Sequence, residues 1–406
     1  MKTRDYDVKV VRRNGYNSKW NILFIIVSVL LIAGLGYMVY RYYQQEAATQ
    51  AHWLEVSEQV GAEKKAKEQE ELEAAKQAAA EEEARRLERE ETDSFYQKLQ
   101  DGFDVNVLVL GDEIATTKGT SEEKYSWANT IASFWEKKYE IEVNLTNLAI
   151  PQSNSYAGYA SVATLDDRVE YDLAVICYGK DDSEENVAQY YEAMIRMLRN
   201  NYRKCSIITL LEATGEDYPA QTLKLQEVAE HYNIPVVDMI AAFVSGENGE
   251  YADLTIDGIQ PNDQGHQLYA MMILQMVEEF VAEGKEYDAS QIMPVGEDMI
   301  SFDNFVFYDA TEFERNDTSF VLQFEDEKLL ECIGIEYSLF DGTNICEIML
   351  DGQLVNCVEE EYECEEPQLR RIPVVNEESV QSKLEIRFAT LEQADSFEGI
   401  IMNMAE

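Results

Sequence analysis

Chemistry in this chain has to come from four short stretches in which carboxylates, amides and hydroxyls follow directly on apolar runs. They read VLVLGDEIATTKG from Val107, NLAIPQSNS from Asn147, DLAVICYGKDD from Asp172 and LTIDGIQPNDQGHQLYA from Leu254. Together they supply Asp112, Glu113, Gln152, Asp181, Asp182, Asp257 and Gln260, with Ser121, Ser153 and Ser155 as nearby hydroxyls. A hydroxyl becomes a nucleophile only when a base takes its proton and later returns it to the leaving group. His52 falls in a charged helical stretch, His231 at a helix end, and His266 on the first turn of a late helix, where packing or capping is its expected role. The serines therefore read as polar loop residues. The 6 cysteines lack CxxC spacing and only 3 histidines are present, so no transition-metal site is expected. Cys177 and Cys205 lie in apolar runs and read as buried thiols, while Cys332, Cys346, Cys357 and Cys364 leave disulfide pairing open.

The elements that must position these residues are legible as apolar runs at Val105–Leu110, Glu142–Leu148, Asp172–Cys177, Cys205–Leu211 and Pro235–Met239, separated by helical segments. Such alternation implies a parallel sheet covered on both faces, a flavodoxin-like three-layer α/β domain over residues 99–285. In these sheets ligands bind at the carboxyl ends of the strands, which is where the four stretches fall.

Over about residues 100–283, the order and spacing of these stretches resemble the SGNH/GDSL hydrolase family. In that family the first block is GDS, with the serine as nucleophile; the second and third supply a glycine and an asparagine to the oxyanion hole; the last supplies the aspartate and histidine of the triad. On this resemblance Glu113 stands at the serine position, Gln152 at the glycine, Asp181 at the asparagine and Gln260 at the histidine, leaving Asp257 as the one surviving triad member. Gly111, Asp112, Gly179, Asp182, Pro261 and Asn262 match positions that keep the loops in shape.

Those replacements predict a loss of ester hydrolysis. Gln260 cannot carry a proton, and Asp181 would put negative charge where an oxyanion develops. In a serine protease, losing nucleophile or base costs about a millionfold in rate, roughly 8 kcal/mol. The expected function is binding or scaffolding at the cell envelope, with acylated glycans as ligand class. The rival is a divergent ester hydrolase or acyltransferase acting on ester-modified surface polysaccharide. If the implied loops converge, Glu113, Asp181 and Asp257 either hold a hard cation such as calcium or magnesium or remain solvated in a degenerate pocket, since converging carboxylates share a proton, recruit a cation or spread apart. An amino-sugar ammonium would serve as the cation equally well.

The rest of the chain reads as an anchor and an appendage. Residues 21–41 contain the uncharged run ILFIIVSVLLIAGLGYMVY, and about 19 helical residues span a hydrocarbon core of about 30 Å. Lys2, Arg4, Lys9, Arg12, Arg13 and Lys19 precede it and only Arg41 follows closely, so residues 1–20 are expected in the cytoplasm and everything beyond the span outside. Residues 42–98, rich in Glu, Ala, Lys and Gln, predict a helical stalk; Leu72 and Leu87 alone give a weak coiled-coil seam for self-association. Residues 286–406 show short alternating runs with Asp341-Gly342 and Asp351-Gly352 as hairpin turns, predicting a small β-sandwich whose aromatics are core. With 79 acidic against 33 basic residues and a net charge of −46, nucleic acid is excluded as a partner.

Overall fold

The computed structural model describes residues 18–165, 169–215, 217–247, 249–285, 295, 302–376 and 379–404. The basic residues expected to set the topology, Lys2 to Arg13, lie outside this range.

The chain separates into two units, residues 1–88 and 89–406. Helix α1 runs unbroken over Ser18–Thr92. Among the described residues it is the one helix long and apolar enough to cross a membrane, and its apolar side chains from Ile22 to Tyr40 are exposed. Leu72 and Leu87 are also exposed. Residues 95–98, expected as the end of the stalk, instead belong to a short helix α2 (Phe95–Asp101), whose Phe95, Tyr96 and Leu99 are buried in the core of the following domain.

The α/β domain holds strands β1 (Val105–Gly111), β2 (Val143–Asn147), β3 (Leu173–Cys177), β4 (Ser206–Leu211) and β5 (Val236–Asp238) in one parallel sheet of order β2-β1-β3-β4-β5. This is the flavodoxin-like order. β3 and β4 are wholly buried, as expected of strands covered on both faces. Helices α3 (Trp127–Tyr139) and α8 (Asp263–Glu283) lie on one face; α4 (Ser155–Ala163), α5 (Val187–Asn201) and α6 (Ala220–His231) lie on the other. A short α7 (Met239–Val244) follows β5.

The C-terminal module is antiparallel and turns on one long strand. β8 (Ser319–Leu339) pairs through its first half with β7 (Glu314–Asn316) and β12 (Ser379–Phe388), and through its second half with β11 (Gln368–Val375) and β13 (Gly399–Met404). β13 also pairs with β6 (Phe305–Asp309), and β12 with β9 (Gly342–Leu350), which forms a hairpin with β10 (Gln353–Tyr362). One core draws on both halves, so the module closes as a sandwich. The expected Asp351-Gly352 hairpin turn is present, both residues having positive φ (47° and 80°). Asp341-Gly342 is not a hairpin turn, because β8 and β9 do not pair; the chain crosses there between the two halves, and the Asn344 amide ties the corner to Phe340 and Gly342. Phe320, Phe324, Tyr337 and Phe388 are core, as the alternation implied. All six cysteines are free thiols.

Phe302, Cys332 and Ile401 of this module share a core with Tyr156, Tyr159 and Tyr190 of the α/β domain. The contact is close: a Cβ on Gly334 would overlap the Tyr156 hydroxyl.

Candidate functional site: an ion-paired strand-end pocket

The site is built where β1, β2 and β3 end. Asp112 is fully buried and caps the 3-10 turn Glu113–Ala115, its Oδ1 accepting from Ile114 N at 2.8 Å. Glu113 then turns inward and is only 7% exposed. After β2 the chain passes through Gln152 in the left-handed region (φ 54°), and Gln152 N donates to Glu113 Oε2 at 2.8 Å. After β3, Gly179 (φ 142°) redirects the chain so that the Lys180 side chain folds back: its Nζ lies 2.9 Å from Glu113 Oε1 and 2.6 Å from Asp181 Oδ2. Asp182 accepts from Ser155 N at 3.0 Å and from Ser155 Oγ at 2.5 Å.

The fourth stretch arrives from the other side. Gln260 is buried, and its Nε2 donates to Lys118 O at 2.8 Å and reaches the Glu113 carbonyl at 3.5 Å. Asp257 does not join the cluster; it is exposed and its Oδ1 accepts from Ile259 N and Gln260 N of its own loop at 3.0 and 2.7 Å. The cation set expected from Glu113, Asp181 and Asp257 is therefore not assembled. The carboxylates that do converge are Asp112, Glu113 and Asp181, with ligand atoms within 4.8 Å of one another. Lys180 lies against two of them, and a cation would have to displace its ammonium.

Electrostatics follow from this packing. Burial alone would raise Glu113, but the Lys180 ammonium and the Gln152 amide outweigh it and hold the carboxyl below its ordinary value. Burial also opposes the charge on Lys180, and hydrogen bonds to Asp181 and Glu113 with the nearby Asp112 reverse that, so the amine is held protonated. Asp181 is raised, by burial first. Beneath them, burial and then the neighbouring Glu212 push Asp112 up strongly, and burial raises Glu212 to about 7. Glu212 accepts Lys180 N at 2.8 Å and the Cys177 thiol at 3.3 Å, anchoring the Lys180 loop from below.

No histidine serves the site. His266 is fully buried; its Nδ1 accepts from Trp127 N at 3.3 Å and its Nε2 donates to Lys118 O at 3.1 Å, so both nitrogens are committed to backbone. Burial holds its pKa down, and it is neutral. The hydroxyls are committed as well: Ser121 to Asp263, Ser153 to Ile150 O and Ser155 to Asp182. The expected packing and capping role of His266 is what the geometry shows.

Two expectations need correcting. Glu113 is not a solvated carboxylate in an open pocket, and Asp181 is not bare, because the one Lys180 ammonium pairs with both and offsets one of their two charges. Sequence reading passed over Lys180 and Glu212. Glu212 carried a signal, being a charged residue directly after the apolar run of β4.

A family match and one superposition over both domains agree with this architecture. Residues 109–268 match the GDSL-like Lipase/Acylhydrolase family, so this stretch is a GDSL-like domain. A two-domain esterase, CEX, active on acetylated mannans and co-crystallised with mannopentaose, superposes with a TM-score of 0.57 at 20% identity, covering 76% of this chain and 94% of its own. Axe2, an acetylxylan esterase from Geobacillus stearothermophilus, gives a TM-score of 0.38 at 15% identity over 43% of this chain and 94% of its own. No curated protein matches the chain.

Proposed function

We propose that this chain is a membrane-anchored, extracytoplasmic GDSL-like protein that binds or scaffolds at the cell envelope without hydrolysing esters, its ligand class being acetylated surface glycans. One observation carries the reading: at the strand ends where hydrolysis needs a nucleophile and a proton carrier, Glu113 and Asp181 clasp the Lys180 ammonium and Gln260 faces them with an amide. A carboxylate whose two oxygens already accept hydrogen bonds is a poor nucleophile, and His266 is held by backbone contacts away from it. The glycan class is suggested by the acetylated-mannan activity of CEX. The anchor reading is supported by the exposed apolar run from Ile22 to Tyr40.

The test uses the full chain in detergent micelles with a chromogenic acetyl ester and, separately, an acetylated manno-oligosaccharide. The expected result is binding of the oligosaccharide with no turnover of either compound. Turnover abolished by Glu113→Gln would establish the rival, a hydrolase or acyltransferase in which Glu113 attacks and Lys180 steadies the oxyanion.

A further inference from the structure

The site draws a side chain from outside the α/β domain. Arg370, on β11 of the C-terminal module, donates from Nη1 to the carbonyl of Gln152 and from Nη2 to Glu360 Oε1 at 2.7 Å. Its side chain is 17% exposed.

Gln152 needs holding. Its φ of 54° puts a residue with a Cβ in the left-handed region, where sterics disfavour all but glycine and, to a lesser degree, asparagine and aspartate. Such conformations persist when the surroundings over-determine them. Here both flanking peptide planes are fixed. Glu113 Oε2 holds the N–H of the plane before Gln152, and Arg370 holds the carbonyl of the plane after it. Because each peptide unit is rigid, pinning both sets the φ and ψ between them. Release of the carbonyl lets the second plane rotate and the residue relax toward negative φ, which carries the amide off Glu113.

We propose that Arg370 is a positioning residue of this site: by holding the Gln152 carbonyl it keeps the Gln152 amide on Glu113, so the C-terminal module completes the site. The inference stands whether the site binds or hydrolyses, since it concerns the geometry both would use.

Arg371 supplies the control. It lies on the same strand and secures the same domain contact, pairing with Glu336 at 2.8 Å and donating to Ser161 Oγ at 2.5 Å, but it touches nothing in the site. The experiment follows amide hydrogen exchange at Gln152 in the full chain in micelles, labelled with 15N-glutamine, for wild type, Arg370→Ala, Arg370→Lys and Arg371→Ala. Arg370→Ala is expected to exchange at least about tenfold faster at Gln152, the scale of losing one hydrogen bond to a charged group. Arg370→Lys, with one donor head in place of a fork, falls between it and wild type. Arg371→Ala lowers the melting temperature yet leaves Gln152 at the wild-type rate. Unchanged exchange in Arg370→Ala overturns the proposal, as does equal acceleration in Arg371→Ala, which would mean general loosening of the domain contact. Should Arg370→Ala fail to fold, Arg370→Lys against Arg371→Ala makes the same decision.

Discussion

Lys180→Met is the substitution that most directly tests the ion-paired site. It keeps the methylene stem and removes the charge that Glu113 and Asp181 share. The side chains of Lys180, Glu113 and Asp181 are 14%, 10% and 31% exposed, so this is a mostly buried cluster open at the Asp181 end. Stripping one partner from a buried pair costs about 3–5 kcal/mol, and the partial exposure of Asp181 discounts that to about 2–4 kcal/mol near neutral pH. The pH dependence has a definite sign. In the wild type the depressed Glu113 pKa contributes stability that is present above its unfolded value and lost as pH falls through the folded one. In the variant burial goes unopposed by Lys180, the carboxyls rise above their ordinary values, and the penalty exists only while they are ionised. The deficit of the variant is therefore large at pH 7.5 and shrinks toward pH 4.5. Denaturant unfolding of both proteins at the two pH values measures it. An equal deficit at both would show that Lys180 acts through its stem and refute the electrostatic account. The same variant tests a cation at the carboxylates that do converge, a different set from the expected Glu113, Asp181 and Asp257: with the ammonium gone, Asp112, Glu113 and Asp181 face one another, so millimolar calcium should restore stability to Lys180→Met and leave wild type unmoved.

Other outcomes follow from the same geometry. Replacing Glu113→Ser together with Gln260→His puts a hydroxyl and an imidazole on two loops that already meet, Gln260 Nε2 lying 3.5 Å from the Glu113 carbonyl, and turnover of a chromogenic acetyl ester above the wild-type rate is expected; none would count against the alignment of these residues with the triad. His266→Gln breaks two backbone contacts and should cost about 1–3 kcal/mol at pH 7.5. Because the folded pKa of His266 is depressed, the unfolded chain binds more protons below about pH 6.5, and the variant should lose part of the wild type's decline in stability with acid. Gly334→Ala drives a methyl into the Tyr156 hydroxyl and should lower stability by about 1–3 kcal/mol in thermal melts, whereas Tyr156→Phe, removing a buried hydroxyl that has no partner, should be neutral or stabilising. Membrane orientation is read from Cys357, which is exposed: a membrane-impermeant maleimide should label it on intact cells, and labelling only after lysis would reverse the topology.

The sheet was legible because its signal is local. Each apolar run matches its strand to within one residue at either end, since a buried parallel strand must be apolar throughout and its neighbours must be helical. What failed were inferences about partners in space. Asp341-Gly342 has the composition of a hairpin turn, but whether the strands on either side pair depends on how β8 is shared between two halves of a sandwich, and no dipeptide encodes that. Residues 95–98 continue the polar composition of the stalk in Gln97 and Lys98, and only the burial of Phe95, Tyr96 and Leu99 assigns them to the domain. Arg370 lies 218 residues from Gln152, in a module whose docking no local pattern reveals.

Lys180 shows why the site itself was half legible. The family resemblance gives each of its neighbours a role and gives Lys180 none. Its direction depends on Gly179 at φ 142°, a region closed to other residues, which turns the side chain back over Glu113. The consequence reaches function. Glu113 is not stranded as a leftover carboxylate would be: each of its oxygens has a donor and Lys180 has two acceptors, while Asp112 Oδ2 beneath them has no hydrogen-bond partner. A ligand that entered deeply would have to break this pair and replace both its halves, at a cost of the order worked out above for Lys180→Met. On the proposed binding function the ligand sits at the rim, where the Gln152 side chain is exposed, Arg370 of the C-terminal module holds the Gln152 carbonyl and the Tyr362 hydroxyl feels the charges of Arg370 and Glu113. Affinity should accordingly respond more to substitutions at Gln152 and Tyr362 than to the conservative change Asp181→Asn, and equilibrium binding of the acetylated manno-oligosaccharide to these variants decides between rim and interior.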